Sequence, residues 1–311
     1  MKGPGAKLKM GTRGSALALA QSGQVAAALT RLRPSLEVES VRIQTSGDRF
    51  SIQSPAQARA LAQGTKGLFV KEIEEALAAG AIDFAVHSAK DLPAELMPGM
   101  MISAYPQRED PRDVFIGRAG LAWAQAGRGT RIGTSSLRRQ VQLLADKPNL
   151  TMLPMRGNID TRLRKLKEGS CDALVLARAG LSRLGLSAIP HEVLPEDLLL
   201  PAPGQGALAL ETRCDRPEIR ELLAAIDHET TRQEVELERA LLKELGGGCS
   251  VPLAARARVS GRAAEVSVFL SEPDGSRAVR LDAECRDLAA REAFAWDLAG
   301  RVRARRQEAA G

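Results

Sequence analysis

Short apolar runs of extended character alternate with helix-like stretches along much of the chain, and that alternation leaves few folds open. Leu36 to Ile43 and Ile82 to Val86 read as strands, whereas Ala16 to Leu29 and Val70 to Ala79 read as helices. This is the βαβ rhythm of an α/β domain. It restarts after the Pro/Arg/Asp-rich stretch Tyr105 to Asp113. There Arg131 to Gly133 reads as a strand, Ser136 to Ala145 as a helix and Ala173 to Ala177 as another strand. A second α/β domain is therefore expected to begin near residue 112. At 311 residues the chain is also longer than a single hydrophobic core usually serves.

The pattern changes after Leu198 to Gly206, where Pro201, Pro203, Gly204 and Gly206 give a linker composition. Glu229 to Leu245 follows as a predicted helix with apolar Val235, Leu237, Leu241, Leu242 and Leu245, and Gly246 suits its C-cap. Val259 to Leu270 and Arg277 to Ala283 read as strands separated by the turn residues Glu272 to Ser276, and Leu288 to Arg305 as a last helix. The third part is thus predicted to be a small α+β domain.

Composition narrows the functional classes. With 44% apolar and 26% charged residues the chain resembles a soluble globular protein, held by aliphatic packing because only nine side chains are aromatic. Cys171, Cys214, Cys249 and Cys285 lie far apart without a CxxC pair, so neither a metal site nor a short disulfide framework is expected, and a reducing cytosol fits best. No secretory leader and no membrane span are read from the sequence. Lys plus Arg exceeds Asp plus Glu by 44 minus 38, or +6, which favours an anionic ligand. Nucleic acid is not expected, since no motif or basic stripe with interleaved aromatics accompanies the charge.

The chemistry-bearing residues cluster where strands give way to helices or turns. Lys90 and Asp91 follow the predicted strand Ile82 to Val86 and sit at its C-terminal mouth, where ligands of α/β folds commonly bind. There Asp91 could act as acid, base or partner to a developing cation, or merely cap a turn. His87, beside the same strand, reads as a structural histidine. Thr12 to Ser15 precedes the first helix with Arg13 and Ser15. Gly133 to Arg139 opens a later one with Ser136, Arg138 and Arg139. Arg156, Gly157 and Asn158, with Arg162, repeat the arrangement. Helix N-termini with guanidiniums nearby make anion cradles, and three of them point to a ligand with several negative groups. No GxxxxGK[ST] run occurs, so ATP is not indicated. Cys249 follows Gly246 to Gly248; its chemistry alone does not separate a covalent anchor from an incidental thiol.

In their order and joint presence, the runs Gly11 to Gln21, Lys66 to Glu72, His87 to Asp91, Arg108 to Asp113, Gly133 to Gln140, Arg156 to Asn158, Pro203 to Gly206 and Gly247 to Cys249 resemble the porphobilinogen deaminase (hydroxymethylbilane synthase) family. The resemblance implies a transferase of tetrapyrrole biosynthesis, a cytoplasmic monomer acting on the small molecule porphobilinogen. It implies a covalent dipyrromethane cofactor on Cys249 and makes Asp91 the catalytic carboxylate. Lys90, Asp48, Ser136, Arg138, Arg139 and Arg162 would hold the cofactor, and Arg13, Ser15, Arg156, Asn158, Arg183, Lys66 and Gln205 the substrate. It further implies two lobes like those of periplasmic binding proteins plus a small C-terminal α+β domain. Domain 1 would span 1–106 and 204–226, domain 2 107–203, and domain 3 227–311.

Two departures stand out. Some relatives carry a second lysine where this chain has Ala62, and a larger apolar residue where it has Ala89. The competing reading is a two-lobed solute-binding protein for a polycarboxylate, which the anion cradles alone would suit. It leaves Cys249 and the third domain unexplained and lacks an export signal.

Overall fold

A computed structural model describes residues 7–46, 70–246 and 251–308. The chain divides into two compact units, Met1–Glu109 with Ala207–Arg232, and Asp110–Gly206 with Gln233–Gly311.

The first unit is built on a five-stranded sheet of order β2-β1-β3-β10-β4, formed by β1 (Lys7–Arg13), β2 (Glu37–Ile43), β3 (Phe84–Ser88), β4 (Met100–Ala104) and β10 (Leu208–Arg213). β1 runs parallel to β2 and β3, and β10 lies antiparallel between β3 and β4. Successive side chains of a strand point to opposite faces, so one sheet yields two apolar layers. Phe84, Val86, Leu208 and Leu210 pack with Val25 and Leu29 of α1 (Ala16–Leu32) and Ile219, Leu222 and Leu223 of α6 (Pro217–Ala224). Ala85 joins Ile82 and, from α2 (Lys71–Ala78), Ile73 and Leu77.

The second unit contains a sheet of the same pattern, β7-β6-β8-β5-β9. β6 (Arg131–Gly133) is parallel to β7 (Thr151–Leu153) and β8 (Ala173–Ala177), while β5 (Asp113–Gly117) runs antiparallel to β8 and to β9 (Glu192–Val193). Its helices include α3 (Leu137–Asp146), α4 (Ile159–Lys167) and α5 (Arg178–Arg183). Gly133, the last residue of β6, leaves no room for a side chain, since a Cβ there would lie 2.8 Å from Leu174 Cδ2. The same unit holds an antiparallel sheet of β11 (Leu253–Ser260), β12 (Ala263–Leu270) and β13 (Val279–Cys285). Its core joins Leu237 and Leu241 of α7 (Glu229–Glu244) and Leu298 and Val302 of α8 (Arg291–Glu308). Val141 of α3 and Leu200 pack with Ala254 and Phe269, which ties the two sheets of this unit together.

The chain therefore has two α/β lobes of like topology and a small C-terminal α+β part. Two sequence expectations are corrected. Val259 to Leu270 is not one strand: Ser260 pairs with Ala263 across the turn Gly261-Arg262, where Gly261 adopts φ +63°. The strand expected over Ile82 to Val86 is shifted to Phe84–Ser88, which places His87 inside the sheet. No helix among the described residues is long and apolar enough to cross a membrane.

Candidate active site

In the first unit, the C-terminal ends of the adjacent parallel strands β1 and β3 form one edge of the site. β1 ends at Arg13, and Ser15 caps α1 with its Oγ accepting the Ala18 N–H at 3.2 Å. β3 runs into a 3-10 turn over Ala89–Asp91. Ala89 and Leu92 are buried and the Ala89 N–H donates to Ala207 O at 3.0 Å, whereas Asp91 is exposed. The turn is thus pinned by its apolar residues and turns its carboxylate outward. Arg13, Ser15, Gln21, His87, Ser88 and Asp91 line an open cleft, with Gln21 Nε2 donating to Ser88 Oγ at 2.8 Å. Lys90 is half-buried beside Asp91.

In the second unit, Ser136 is the N-cap of α3, and Arg138 and Arg139 in its first turn are buried rather than splayed into solvent. They converge on Asp113. Because β5 is antiparallel to β8, its first residue Asp113 pairs with Ala177, the last residue of β8, and so sits at the mouth where β8 ends. Arg138 Nη2 lies 2.8 Å from Asp113 Oδ2, and Arg139 Nη2 lies 2.7 Å from Oδ1. Arg138 Nη1 also donates to Leu200 O at 2.7 Å, Arg139 Nη1 to Val175 O at 3.0 Å, and Gln205 Nε2 to Asp113 Oδ1 at 3.1 Å. Burial pushes the Asp113 carboxyl up, but the two guanidiniums outweigh it and hold the group at about 2. Arg183, on α5, donates to Gly206 O at 2.7 Å.

One turn further, Gly157 takes φ +105°, and Asn158 caps α4 with Oδ1 accepting the Thr161 N–H at 3.0 Å. Arg162 Nε donates to Gly157 O at 2.8 Å, and Arg156 is exposed. Among the described residues no carboxylate lies within ion-pair distance of Arg162. Burial first, and Arg139 second, lower its guanidinium to about 10. Arg138, Arg139 and Arg162 are thus three cations set against the one carboxylate of Asp113. A desolvated cation held next to other cations calls for an anion, and the unspent N–H donors of these side chains suit carboxylates. The donor set fits a polycarboxylate cofactor.

The structure accordingly brings Arg13, Ser15, Lys90 and Asp91 to one set of strand ends, and Ser136, Arg138, Arg139, Arg162, Arg183 and Gln205 into the second unit, with Asn158 committed to a helix cap. Asp48, Lys66 and Cys249 lie outside the described residues. Sequence reasoning missed Asp113, Glu211 and Glu74 as members of polar clusters. A charged residue opening or interrupting an apolar run, as in Asp113-Val-Phe-Ile116 and Leu208-Ala-Leu-Glu211, was the available signal. Among the described residues no group of three or more His, Cys, Asp or Glu could hold a metal ion.

Comparison with known proteins places this geometry in a family. The family profile described as "Porphobilinogen deaminase, dipyromethane cofactor binding domain" matches residues 8–221, and "Porphobilinogen deaminase, C-terminal domain" matches 232–303. The porphobilinogen deaminase of Geobacter sulfurreducens is 48% identical over 274 residues, covering 88% of this chain and 84% of that protein. That of Roseiflexus sp. (strain RS-1) is 50% identical over 254 residues, covering 82% of each. Among solved structures, the methionine-binding protein MetQ aligns over 76% of this chain and 94% of that one at 14% identity and a TM-score of 0.44, a likeness too loose to bear on function. With both profiles matched in order and near-half identity over most of its length, the chain belongs to the porphobilinogen deaminase family.

Proposed function

We propose that the chain is a transferase that joins four porphobilinogen molecules head to tail, losing ammonia at each step, and releases the linear hydroxymethylbilane by hydrolysis. The observation that carries this reading is the exposed Asp91 carboxylate, projected from a buried turn into a cleft that also holds Arg13 and Ser15. Asp91 stands where it can stabilise the cationic pyrrole left when porphobilinogen loses ammonia, and it can accept or relay the proton removed afterwards. Arg13 and Ser15 would meet the substrate's acetate and propionate, with Arg156, Asn158, Arg183, Lys66 and Gln205 as further substrate contacts.

The family's dipyrromethane cofactor supplies, when bound, the free pyrrole α-carbon from which the chain is extended. We assign its thioether to Cys249 and its carboxylates to Arg138, Arg139 and Arg162, with Ser136, Lys90 and Asp48 in support. Asp113 would hold the first two guanidiniums in place, and bidentate pairing explains why lysine would serve poorly there. The three separate sheets support three domains, 1–106 with 204–226, 107–203 and 227–311. The free thiols Cys171, Cys214 and Cys285 suit a reducing cytoplasm, where we take the protein to act as a monomer on a small molecule, without nucleic acid or membrane.

The test is the intact mass of the purified protein beside a Cys249→Ser variant, with peptide mapping of the difference. A dipyrromethane on Cys249 in the parent and none in the variant is the expected result. A Cys249 that stays bare after incubation with porphobilinogen overturns the assignment.

A further inference from the structure

Three titratable side chains are buried on the sheet face that α2 covers, and the chemistry above uses none of them. In the antiparallel pairing of β3 with β10, Ala209 stands opposite His87 and Glu211 opposite Ala85. These four therefore share one face of the pleat, and the two alanines leave room for the two large polar side chains. His87 Nε2 lies 2.9 Å from Glu211 Oε2, with His87 6% and Glu211 0% exposed. Glu74 reaches this pair from α2, itself buried. Its Oε1 accepts the Met97 N–H at 2.8 Å, and Glu211 is near enough to help raise its carboxyl.

The cluster grips both ends of one segment. His87 is the residue but one before Ala89–Asp91, and Met97 lies six residues after Asp91. The short turn that carries Asp91 is thus held from beneath by a polar chain running His87, Glu211, Glu74, Met97. Two carboxyls close together inside a protein cannot both be ionised cheaply. Burial raises the Glu74 carboxyl above its ordinary value, opposed by the Met97 amide and aided by Glu211.

We propose that His87, Glu211 and Glu74 form a buried clamp that fixes the Asp91 turn, which makes His87 and Glu211 positioning residues for that carboxylate. The inference rests on Asp91 being the reacting group. The clamp acts from the buried face of the sheet; it keeps Asp91 at one place and angle, and displacement by an ångström at a reacting group can cost on the order of 100-fold in rate.

The experiment compares Glu211→Gln, Glu74→Gln, His87→Gln and His87→Ala in the cofactor-loaded protein, with cofactor content by mass, melting temperature, kcat and KM recorded for each. Glu211→Gln replaces the carboxyl that faces His87 with an amide and should lower kcat about tenfold or more, with KM and cofactor content within about twofold. Glu74→Gln keeps an oxygen to accept the Met97 N–H and removes only the second buried carboxyl, and should keep kcat within about threefold. His87→Gln retains a donor toward Glu211 and should recover most of the rate that His87→Ala loses, a rescue that holds even where Glu211→Gln does not fold. Equal kcat losses in Glu74→Gln and Glu211→Gln that merely track their melting temperatures, or no difference between His87→Gln and His87→Ala, overturn the clamp. Asp91→Asn runs alongside. If it is inactive while Glu211→Gln and His87→Ala are fully active, the clamp alone fails; if it is itself active, the Asp91 reading fails and the clamp with it.

Discussion

Asp113 has no solvent exposure and yet stays ionised, because two guanidiniums from consecutive residues close on its two oxygens. A buried pair or triplet of this kind is weak evidence for stability in itself, but removing one member strands the others. Asp113→Asn should therefore cost about 3–5 kcal/mol, by leaving Arg138 and Arg139 short of an anion. Its pH dependence identifies the cause. A carboxyl whose folded value is about 2 contributes stability that is fully present above its unfolded value of about 4, and loses it as pH falls from there toward 2. Asp110 and Asp172 are also held at about 2, but both remain in the variant and cancel in the comparison. Melting curves of parent and Asp113→Asn between pH 5 and pH 2 should converge by about 2 kcal/mol as the pH drops. A constant gap would mean that the side chain matters for shape and not for charge. The arginines were legible in the sequence because they open a helix after a strand. Their counter-ion was not, since it lies 26 residues earlier and only the antiparallel direction of β5 brings it to the same mouth.

At the scale of elements, local signals were read well wherever one segment decides its own structure. Arg131–Gly133 and Ala173–Ala177 are strands with the predicted bounds, and the helices at Leu137–Asp146 and Glu229–Glu244 start within a residue of expectation. What failed was pairing. The Gly261-Arg262 turn carries none of the Asn-Gly or Asp-Gly chemistry that marks a two-residue hairpin, so the last two residues of β11 and the whole of β12 read as one run, and the rest of β11 is not read as a strand. Leu208–Arg213 follows a Pro/Gly-rich stretch and was passed over, although it is a central strand of the first sheet. The turn before α4 offers a test at this scale, because Asn158 was read as a ligand contact and is found capping the helix. Asn158→Ala should cost about 1 kcal/mol through loss of the cap. Asn158→Asp should keep the cap and the melting temperature, while its charge beside the Arg156 and Arg162 segment weakens retention of carboxylate ligands. Thermal melts and cofactor content measured on both variants separate the two roles; a ligand role for the amide itself predicts that Asn158→Ala loses cofactor or raises KM out of proportion to its stability.

For the whole molecule, the net charge of +6 that pointed to an anionic ligand resolves into particular side chains, with buried guanidiniums at the strand ends of the second lobe. The two lobes share one strand pattern, which emerges only from the order and direction of their strands. Burial lowers the protonation strength of both Arg138 and Arg162, which means that folding without a ligand holds these cations at a cost. A cofactor with several carboxylates relieves that cost in the folded state alone, so loading and folding are linked. Protein of the same sequence made in cells unable to supply porphobilinogen should therefore melt lower than the loaded form, by about 5 °C. Because part of the relief is electrostatic, added sodium chloride should narrow the gap by screening and by offering a substitute anion. Calorimetry of both forms at low and high salt provides the measurement. Coincident melts would show that the guanidiniums are already satisfied within the fold, and the assignment of Arg138, Arg139 and Arg162 to the cofactor would fall.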